Sequence, residues 1–444
     1  MTDLDPGLDL FPLVAAILAA TTCGVLGNFL VLQRRSLMGD AISHAVLPGL
    51  VVAFLLAGQR SPIAMLLGAA TAGLVTVVLS ETVRRFGRVE PGAAMGVVFC
   101  GLFALGVLLI EQAAARQVDL DADCVLYGQL ETLAWFGAPD TWVETFGWST
   151  LLSTPRQVWL LVAVGFATVL FIACLYKELR LVSFDAPLAA ALGLHPRAIN
   201  LGLMVLVALA TVASFEAVGS ILVIAMLICP AAIARLLTNR FRSQLLLSVA
   251  IAATAAVVGY RSATLLPALG GWESVNAAGM ITVVLGVLLV LAIVAAPTEG
   301  VMARFWRRRR VRRVIGLEDL LAKLWRAEEA PVAALADAPA RFDRDVIRRA
   351  RRFGLVTGTP SDPRLTAPGR RMAAGVVRRH RLWENFLVEQ LGLSPDHVHE
   401  TAERLEHLGQ VHLDGPEVDP HGRSIPSGDD GPSDIPEKST TMDS

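Results

Sequence analysis

Residues 26–49, LGNFLVLQRRSLMGDAISHAVLPG, decide the fold of this chain. One apolar run ends at Arg34 and Arg35, and a second apolar run begins around an ionisable pair, Asp40 and His44. Apolar stretches separated by short basic bursts are typical of helices that cross a membrane, with the arginines held at one surface. The stretch therefore predicts a membrane-spanning protein with ionisable residues at the start of its second span.

The composition divides the chain near residue 300. Hydrophobic residues make up 54% of the 444 positions and charged residues 18%, but the charges are sparse before Phe305 and dense after it. The net charge of −1 gives no general attraction to nucleic acid or anionic lipid. The five cysteines are scattered without a CxxC pair, which favours small buried residues over disulfides or metal ligands.

The first 300 residues contain enough apolar segments for a polytopic membrane domain. A spanning helix needs about 20 mostly apolar residues. Candidate spans lie at 10–32, 40–58, 62–80, 92–111, 157–176, 198–216, 218–238 and 276–297, with a further one at 244–262. The sequence thus predicts an all-α membrane domain with eight or nine transmembrane helices.

Clusters of arginine and lysine orient these spans. They lie at 34–35, 84–88, 177–180, 235–242 and 307–313. If the acidic N-terminus is outside and all nine segments cross, every cluster falls on the cytoplasmic side, as the positive-inside rule requires. The C-terminal third of the chain is then expected in the cytoplasm.

Asp40 and His44 are four residues apart, so they share one face of a helix. Ionisable residues inside a span are costly and often functional, and a carboxylate with a neutral imidazole would ligate a passing divalent cation. Alternatively, Asp40 caps the helix and His44 hydrogen-bonds to a neighbouring span. The spacing alone leaves both interpretations open.

Residues 181–200, LVSFDAPLAAALGLHPRAIN, predict a short amphipathic helix between two spans. Asp185 and Pro187 begin it, and Gly193 and Pro196 end it. Such a helix, with Leu192 at its end, suits docking to a soluble partner on the cytoplasmic side. The alternative is a helix that lies on the lipid surface.

These blocks resemble the permease subunits of ABC importers for manganese, zinc or iron. The resemblance covers about residues 10–297 and is carried by GNFLVLQRRSLMGDAISHA, FDAPLAAALGLHP and AVGSILVIAMLICPAAIARLLT. It implies a multi-pass protein of the bacterial cell membrane, working as a homodimer or paired permease. It further implies a separate ATP-hydrolysing subunit docked on residues 183–196 and an extracytoplasmic metal-binding protein.

By the same resemblance, Asp40 and His44 handle the metal in the pore. The chain contains no GxxxxGK[ST] motif, so we expect that it binds no ATP by itself and is a transporter subunit rather than an enzyme.

After the basic run FWRRRRVRR at 305–313, the sequence becomes that of a soluble domain. The run suits anionic lipid head groups, with a nucleic-acid patch as the alternative. LEDLLAKLW, VAALAD and RFDRDVIRRARRFG predict three helices, the last ended by Gly354, and LVTGTPSDPRLTAPG predicts two short strands around a turn. This order is typical of a winged helix.

The last third also carries histidines and carboxylates at helical spacing. In RRHRLWENF and VHETAERLEH these residues are His380, Glu384, His399, Glu403, Glu406 and His407. Imidazole and carboxylate together suit a divalent transition metal. The alternative is a set of surface residues that form ion pairs with Arg381 and Arg404.

Residues 316–426 resemble the diphtheria-toxin-repressor family of metal-dependent regulators. The resemblance is carried by RRHRLWENFLVEQLGL, VHETAERLEH and DPHGRSIP. It implies one metal site formed by His380, Glu384 and His399, and a second formed by Glu403, Glu406 and His407 with Asp319.

Two positions bear on which metal the domain takes. Glu403 stands where iron-type members carry cysteine, and a hard carboxylate there favours manganese. Ala322 departs from the family, whose manganese-type members carry a further carboxylate at that position.

The sequence therefore predicts a transmembrane permease domain (1–300), a basic juxtamembrane linker (301–315), a winged-helix-like domain (316–376), a metal-binding and dimerisation domain (377–427) and a disordered tail (428–444). The predicted function is the permease of an ABC importer for divalent metal, fused to a cytoplasmic metal-sensing domain that holds manganese, iron or zinc. The alternative is a membrane-anchored metal-dependent transcriptional regulator. Tethering to a membrane disfavours DNA binding, and a pure sensor would not need a docking helix.

Overall fold

The computed structural model describes residues 6–35, 38–57, 62–114, 130–133, 135, 154–271, 275–297, 299–329, 343–359, 362–407 and 417–426. The chain forms two compact units, Met1–Ala303 and Arg304–Ser444. The predicted helix at 332–337 and the predicted tail at 428–444 lie outside the described residues.

The described residues of the first unit are helical or lie in short connections. Its α-helices are α1 (Pro6–Leu32), α2 (Met38–Ala45), α3 (Leu47–Ala57), α4 (Pro62–Gly87), α5 (Pro91–Ala114), α6 (Arg156–Cys174), α7 (Tyr176–Phe184), α8 (Ala186–Ala191), α9 (Pro196–Val218), α10 (Ser220–Leu237), α11 (Phe241–Leu269) and α12 (Ala277–Ala295). A single 3₁₀ turn at Leu130–Leu133 packs on α1.

Eight of the described helices are long and apolar enough to cross a membrane. They are α1, α4, α5, α6, α9, α10, α11 and α12. The all-α polytopic fold is confirmed, and the ninth candidate at 244–262 lies within one of these helices, α11.

The predicted single span at 40–58 is wrong in its form, because two short helices, α2 and α3, meet there at Val46. Pro48 has no N–H, so it cannot donate the helical hydrogen bond to the carbonyl of His44 four residues earlier. The two helices have 8 and 11 residues. At about 1.5 Å per residue, their summed length is close to the ~30 Å hydrocarbon core, so a broken helix can still cross there.

Helix α1 lies at the centre of the bundle, in contact with α6, α9, α10 and α11. Small residues along it are buried, among them Ala15, Ala16 and Ala19. Its closest approach is at Gly27, where a Cβ would lie 1.8 Å from the carbonyl oxygen of Leu227 in α10. Small residues allow helix backbones to meet in this way, which strengthens the dispersion contacts between them.

A buried amide network joins α1 to α11. The Asn28 side chain donates to the hydroxyl of Ser248 at 2.7 Å. The Gln244 amide donates to the carbonyl oxygen of Asn28 at 2.9 Å. Hydrogen bonds of this kind between membrane helices each contribute about 0.6–2 kcal/mol.

The short helix expected between two spans is α8, which follows α7 after a one-residue break at Asp185. The Asp185 carboxylate accepts a hydrogen bond from the backbone N–H of Leu188 at 2.9 Å, as an N-cap does. Gly193 ends the turn with a φ of +83°, a conformation that favours glycine. Leu192 stands at the end of α8 with 64% of its surface exposed.

The second unit combines helices with one two-stranded sheet. Its elements are α13 (Val301–Glu329, which begins three residues before the unit), α14 (Arg344–Arg352), β1 (Val356–Thr359), β2 (Asp362–Leu365), α15 (Ala367–Glu389) and α16 (Pro395–Leu405). The strands are antiparallel, with Val356 opposite Leu365 and Thr359 opposite Asp362.

The core of the second unit explains why these elements form. Leu317, Leu321 and Leu324 give α13 one buried apolar face, and they pack with Ile347 of α14. Gly354 ends the α14 segment with a φ of +69°. The helix–strand–strand–helix order predicted for residues 341–391 is therefore observed, and α15 is continuous across the domain boundary predicted between 376 and 377.

The substitution Gly27→Ala tests the contact between α1 and α10. The added methyl group forces the two backbones apart, and overpacking of an interior costs about 1–3 kcal/mol. We expect a lower midpoint of thermal unfolding for the detergent-purified protein, measured by fluorescence-detected size exclusion after heating.

Gly96→Ala in α5 is the matched control, because a Cβ at Gly96 meets nothing within 4 Å. It should unfold with the wild-type midpoint. Equal midpoints for Gly27→Ala and the wild type would contradict the close approach at this position.

Candidate metal centre

The first cluster of metal-ligating groups joins α15 to α16. His380 and Glu384 lie one helical turn apart on α15, and His399 comes from α16. His380 Nε2 lies 3.0 Å from Glu384 Oε1 and 3.0 Å from His399 Nδ1. His399 Nδ1 lies 2.8 Å from the same Glu384 oxygen, so the three atoms form a nearly equilateral triangle.

This triangle fits a single divalent ion. Ligands held at about 2.1 Å from a metal, at right angles to each other, are about 3 Å apart. His380 and Glu384 are buried, whereas the His399 side chain is 53% exposed. The cluster therefore has two fixed ligands in the interior and a third ligand at the side from which an ion can enter.

The second cluster contains Asp319 of α13 with Glu406 and His407, which directly follow α16. His407 Nε2 lies 3.0 Å from Asp319 Oδ1 and 3.8 Å from Glu406 Oε1. Its other ring nitrogen, Nδ1, lies 2.7 Å from Glu318 Oε2. Glu318 is not among the predicted ligands, although it stands beside Asp319 on the same amphipathic helix.

Glu406 connects the two clusters. Its Oε2 lies 2.6 Å from His380 Nδ1, while its Oε1 faces His407. Despite this short distance, His380 Nδ1 is a buried nitrogen without a hydrogen-bond partner of suitable geometry. If His380 binds metal through Nε2, its Nδ1 carries the proton, and the Glu406 carboxylate is placed to orient the ring.

Glu403 differs from the other predicted ligands. It lies on α16, but within the described residues it belongs to neither group of ligand atoms. Helix α16 ends at Leu405, and Glu406 follows as its C-cap, still in helical conformation and with its backbone N–H bonded to the Ala402 carbonyl. At the position of the missing carboxylate, Ala322 is buried against Val376 and Val377.

Surface ion pairing, the alternative interpretation of these residues, does not occur with the expected arginines. Arg381 pairs with Glu329 and lies 3.6 Å from Asp419. Arg404 pairs with Glu400 at 2.6 Å. Within the described residues, both arginines thus contact carboxylates outside the two clusters.

The segment around Asp419 is tied to α15. Arg378 donates to the backbone carbonyl of Pro426 at 2.6 Å, and Asn385 donates to that of Val418 at 3.2 Å. The DPHGRSIP motif therefore supports the helix that carries His380 and Glu384.

The charges within the clusters shift the pKa values of their members. Burial opposes ionisation of Glu384, but hydrogen bonds from His380 and His399 outweigh it and lower the pKa of Glu384 to about 2. Hydrogen bonds with Asp319 and Glu318 raise the pKa of His407 to about 9. Burial lowers the pKa of His380, but the Glu384 and Glu406 carboxylates outweigh it and raise that pKa.

These shifts link metal binding to proton release. A metal ion needs the neutral imidazole, whereas His407 with a pKa of about 9 is protonated at neutral pH in the metal-free protein. An ion that uses His407 as a ligand must therefore displace a proton.

The ionisable pair of the first unit lies on the short helix α2. The His44 ring packs against two aromatic rings of α5, with centroid distances of 5.4 Å to Phe99 and 5.8 Å to Phe103. Asp40 occupies the preceding turn of the same helix. Glu216 near the end of α9 accepts a hydrogen bond from Arg156 at 3.3 Å.

Comparison with known families assigns both parts of the chain. The family model described as the ABC 3 transport family matches residues 10–135 and 145–296, more than half of the chain. The family model of the iron dependent repressor metal binding and dimerisation domain matches residues 366–427. The second match contains His380, Glu384, His399, Glu406 and His407.

Curated relatives match the first unit over nearly their full length or most of it. The manganese transport system membrane protein MntD of Bacillus subtilis is 38% identical over 292 residues, covering 66% of this chain and 93% of the relative. The zinc transport system membrane protein TroD of Treponema pallidum is 34% identical over 289 residues, covering 65% and 74%.

A solved structure shares the architecture. PsaBC from Streptococcus pneumoniae in complex with Fab aligns with a TM-score of 0.53 and 29% identity. The alignment covers 68% of this chain and 94% of that one.

Substitution of one cluster ligand tests the metal centre. Glu384→Gln keeps the side-chain shape but removes the charge that both histidines face. We expect manganese affinity of the full-length protein to fall at least tenfold, because losing even an outer-shell partner typically costs about 10–100-fold. Isothermal titration calorimetry measures the change. The wild-type affinity should also rise between pH 6 and pH 9, because His407, with a pKa of about 9, loses its proton as the pH rises.

Glu400→Gln is the matched control, since Glu400 lies on α16 but pairs only with Arg404 at the surface. Its affinity should equal that of the wild type. Manganese binding that is unaffected by Glu384→Gln would contradict a metal centre at the first cluster.

Proposed function

Because the chain belongs to the ABC 3 transport family and ends in a metal-binding domain of the iron dependent repressor class, we propose that it is a membrane permease for divalent metal with a built-in metal sensor. The observation that supports this proposal best is that the ABC 3 transport family model matches the part of the chain that contains the eight apolar helices. Manganese is the first candidate for the cargo, with zinc or iron next, since relatives named for manganese and for zinc both match.

A permease of this kind needs partners that the chain does not contain. Its sequence has no phosphate-binding GxxxxGK[ST] motif, so ATP hydrolysis is assigned to a separate subunit. A second permease copy would complete the pore, and an extracytoplasmic binding protein would deliver the metal. We place the protein in the bacterial cell membrane with the C-terminal domain in the cytoplasm, which the arginine clusters support if α2 and α3 together form one crossing.

Asp40 and His44 are the proposed metal-handling residues of the pore. Both residues belong to α2, a helix too short to span by itself, and the His44 ring lies against the aromatic rings of α5. Carboxylate and imidazole ligands would replace water around a cation, and two ligands bind weakly enough to let it move on.

Helix α8 is the proposed dock for the ATPase subunit. Leu188 and Leu192 are exposed on it, and Phe184 is exposed at the end of α7. The Asp185 cap and the Gly193 turn hold these apolar side chains on a short helix between α7 and α9. A rigid helix can transmit movement of a partner to the spans on either side.

The C-terminal domain is the proposed regulator of transport. Its two clusters draw ligands from α13, α15, α16 and the residues just after α16, so bound metal would fix these elements together. A ligand shifts a conformational equilibrium only by its difference in affinity for the two states. We propose that metal stabilises a state of the domain that restrains the permease when the cytoplasm is replete.

Metal uptake by a reconstituted complex tests the pore. Asp40→Ala and His44→Ala should each reduce manganese uptake to background, because one of two ligands is lost, while the ATPase subunit still co-purifies. Glu111→Gln in α5 is the control, an acidic residue exposed at the end of another apolar helix. Wild-type uptake in either pore variant would contradict the assignment.

Binding of the ATPase subunit, measured beside uptake, distinguishes a defect in the dock from a defect in the pore. Leu192→Glu should lose the ATPase subunit in a pull-down, whereas Asn239→Glu, in the loop after α10, should retain it. Unchanged binding and uptake in Leu192→Glu would show that α8 does not serve as the dock.

Removal of residues 316–444 tests the regulation. We expect higher uptake in metal-replete cells and little change in starved cells, because the restraint needs bound metal. Glu384→Gln in the full-length chain should reproduce the effect without removing the domain. Uptake that is unchanged at every metal level would leave a metal-binding domain but exclude a role in controlling transport.

A further inference from the structure

A basic cavity of about 220 Å³ lies in the first unit, and His44 is not among its lining residues. Its lining consists of Arg35, which follows α1, and of residues from α2, α4, α5 and α9. Four arginines reach it, against the single carboxylate of Glu81. They are Arg35, Arg84, Arg85 and Arg197.

Among the residues that the structure describes, the lining of this cavity carries more positive than negative charge. Arg84 pairs with Glu81 on the same helix. Within the described residues, no carboxylate lies within ion-pair distance of Arg35, Arg85 or Arg197. Burial and the charge of Arg84 lower the pKa of Arg35, so the protein itself disfavours the charge that it places there.

Polar atoms inside the cavity also lack partners. Ser80 is 5% exposed, and its hydroxyl has no hydrogen-bond partner. The Nε of Arg84 is buried without a partner as well. A buried hydroxyl and a buried guanidinium N–H left unpaired each cost free energy, and an oxygen-rich anion would satisfy both.

The remaining wall of the cavity is apolar. Met38, Val77, Met95 and Met204 line it and are buried. Guanidinium groups next to flexible, apolar methionines suit a molecule with a charged oxygen cluster at one end and a hydrocarbon part at the other.

We propose that this cavity binds a phosphate group, presented by a phospholipid head group or taken up as a free anion. Several arginines around one site match the three or four oxygens of a phosphate, which accept hydrogen bonds in several directions at once. Basic pockets between membrane helices hold lipid head groups in this way. Arg197 and Asn200 lie near the start of α9, which follows α8 after a short connection, so a bound phosphate would stiffen the base of the proposed dock.

Thermal stability of the delipidated full-length protein tests the proposal with three probes. They are phosphatidylglycerol in mixed micelles, diacylglycerol in the same micelles and inorganic phosphate at matched ionic strength. Phosphatidylglycerol should raise the unfolding midpoint, and diacylglycerol, which lacks the phosphate, should not. A shift with inorganic phosphate alone identifies a free anion as ligand, and a shift with the lipid alone identifies a head group.

Two variants locate the effect. Arg35→Gln and the more exposed Arg197→Gln should each weaken binding of the effective probe about tenfold or more, since a charge-assisted hydrogen bond contributes about 1.5–3 kcal/mol. Arg180→Gln removes an equal charge from the exposed face of α7, outside the cavity, and should bind like the wild type.

Three results would overturn the proposal. One is the absence of any shift with phosphatidylglycerol and with phosphate. Another is an equal loss of binding in Arg180→Gln and Arg197→Gln, which indicates surface charge alone. The third is loss of the ATPase subunit from Arg197→Gln together with no response to either phosphate probe, which would assign the cavity to a carboxylate of that partner.

Discussion

The first unit depends on the contact between the backbones of α1 and α10. In a bilayer, lipid is as apolar as the helix surfaces, so helices associate through close packing and through interhelical hydrogen bonds. Gly27 allows the contact with the Leu227 carbonyl. The next residue, Asn28, accepts a hydrogen bond from the buried amide of Gln244 in α11. Close packing and hydrogen bonding therefore act together near the C-terminal end of α1, just before Arg34 and Arg35.

The break after α2 shows how a single residue sets the surroundings of an ionisable pair. Without Pro48, the apolar sequence from Met38 to Ala57 would favour one continuous span. After the break, α2 contacts α4, α5, α9 and α10, while α3 packs mainly on α4 and α5. His44 consequently lies against Phe99 and Phe103 rather than continuing the direction of α3.

Much of this structure could be predicted from local sequence patterns, because hydrophobic length and spacing determine it. The eight long helices, the Asp185 cap and the His380–Glu384 turn belong to this class. The break at Val46 was missed, since hydropathy averages over a proline that alters one hydrogen bond. The exclusion of Glu403 and the part played by Glu318 depend on where α16 ends and how α13 packs beside it. Both features depend on tertiary packing, which cannot be predicted from residue spacing along a single helix.

The position of Glu406 has a consequence for how the second unit fills with metal. One carboxylate faces His380 with one oxygen and His407 with the other, and it is 1% exposed. An ion bound in one cluster would alter the charge and position of this shared carboxylate, so occupancy of the two clusters would be coupled through Glu406. Linkage makes this dependence reciprocal, and its sign decides whether occupancy rises with metal concentration more steeply or more gradually than for two separate sites.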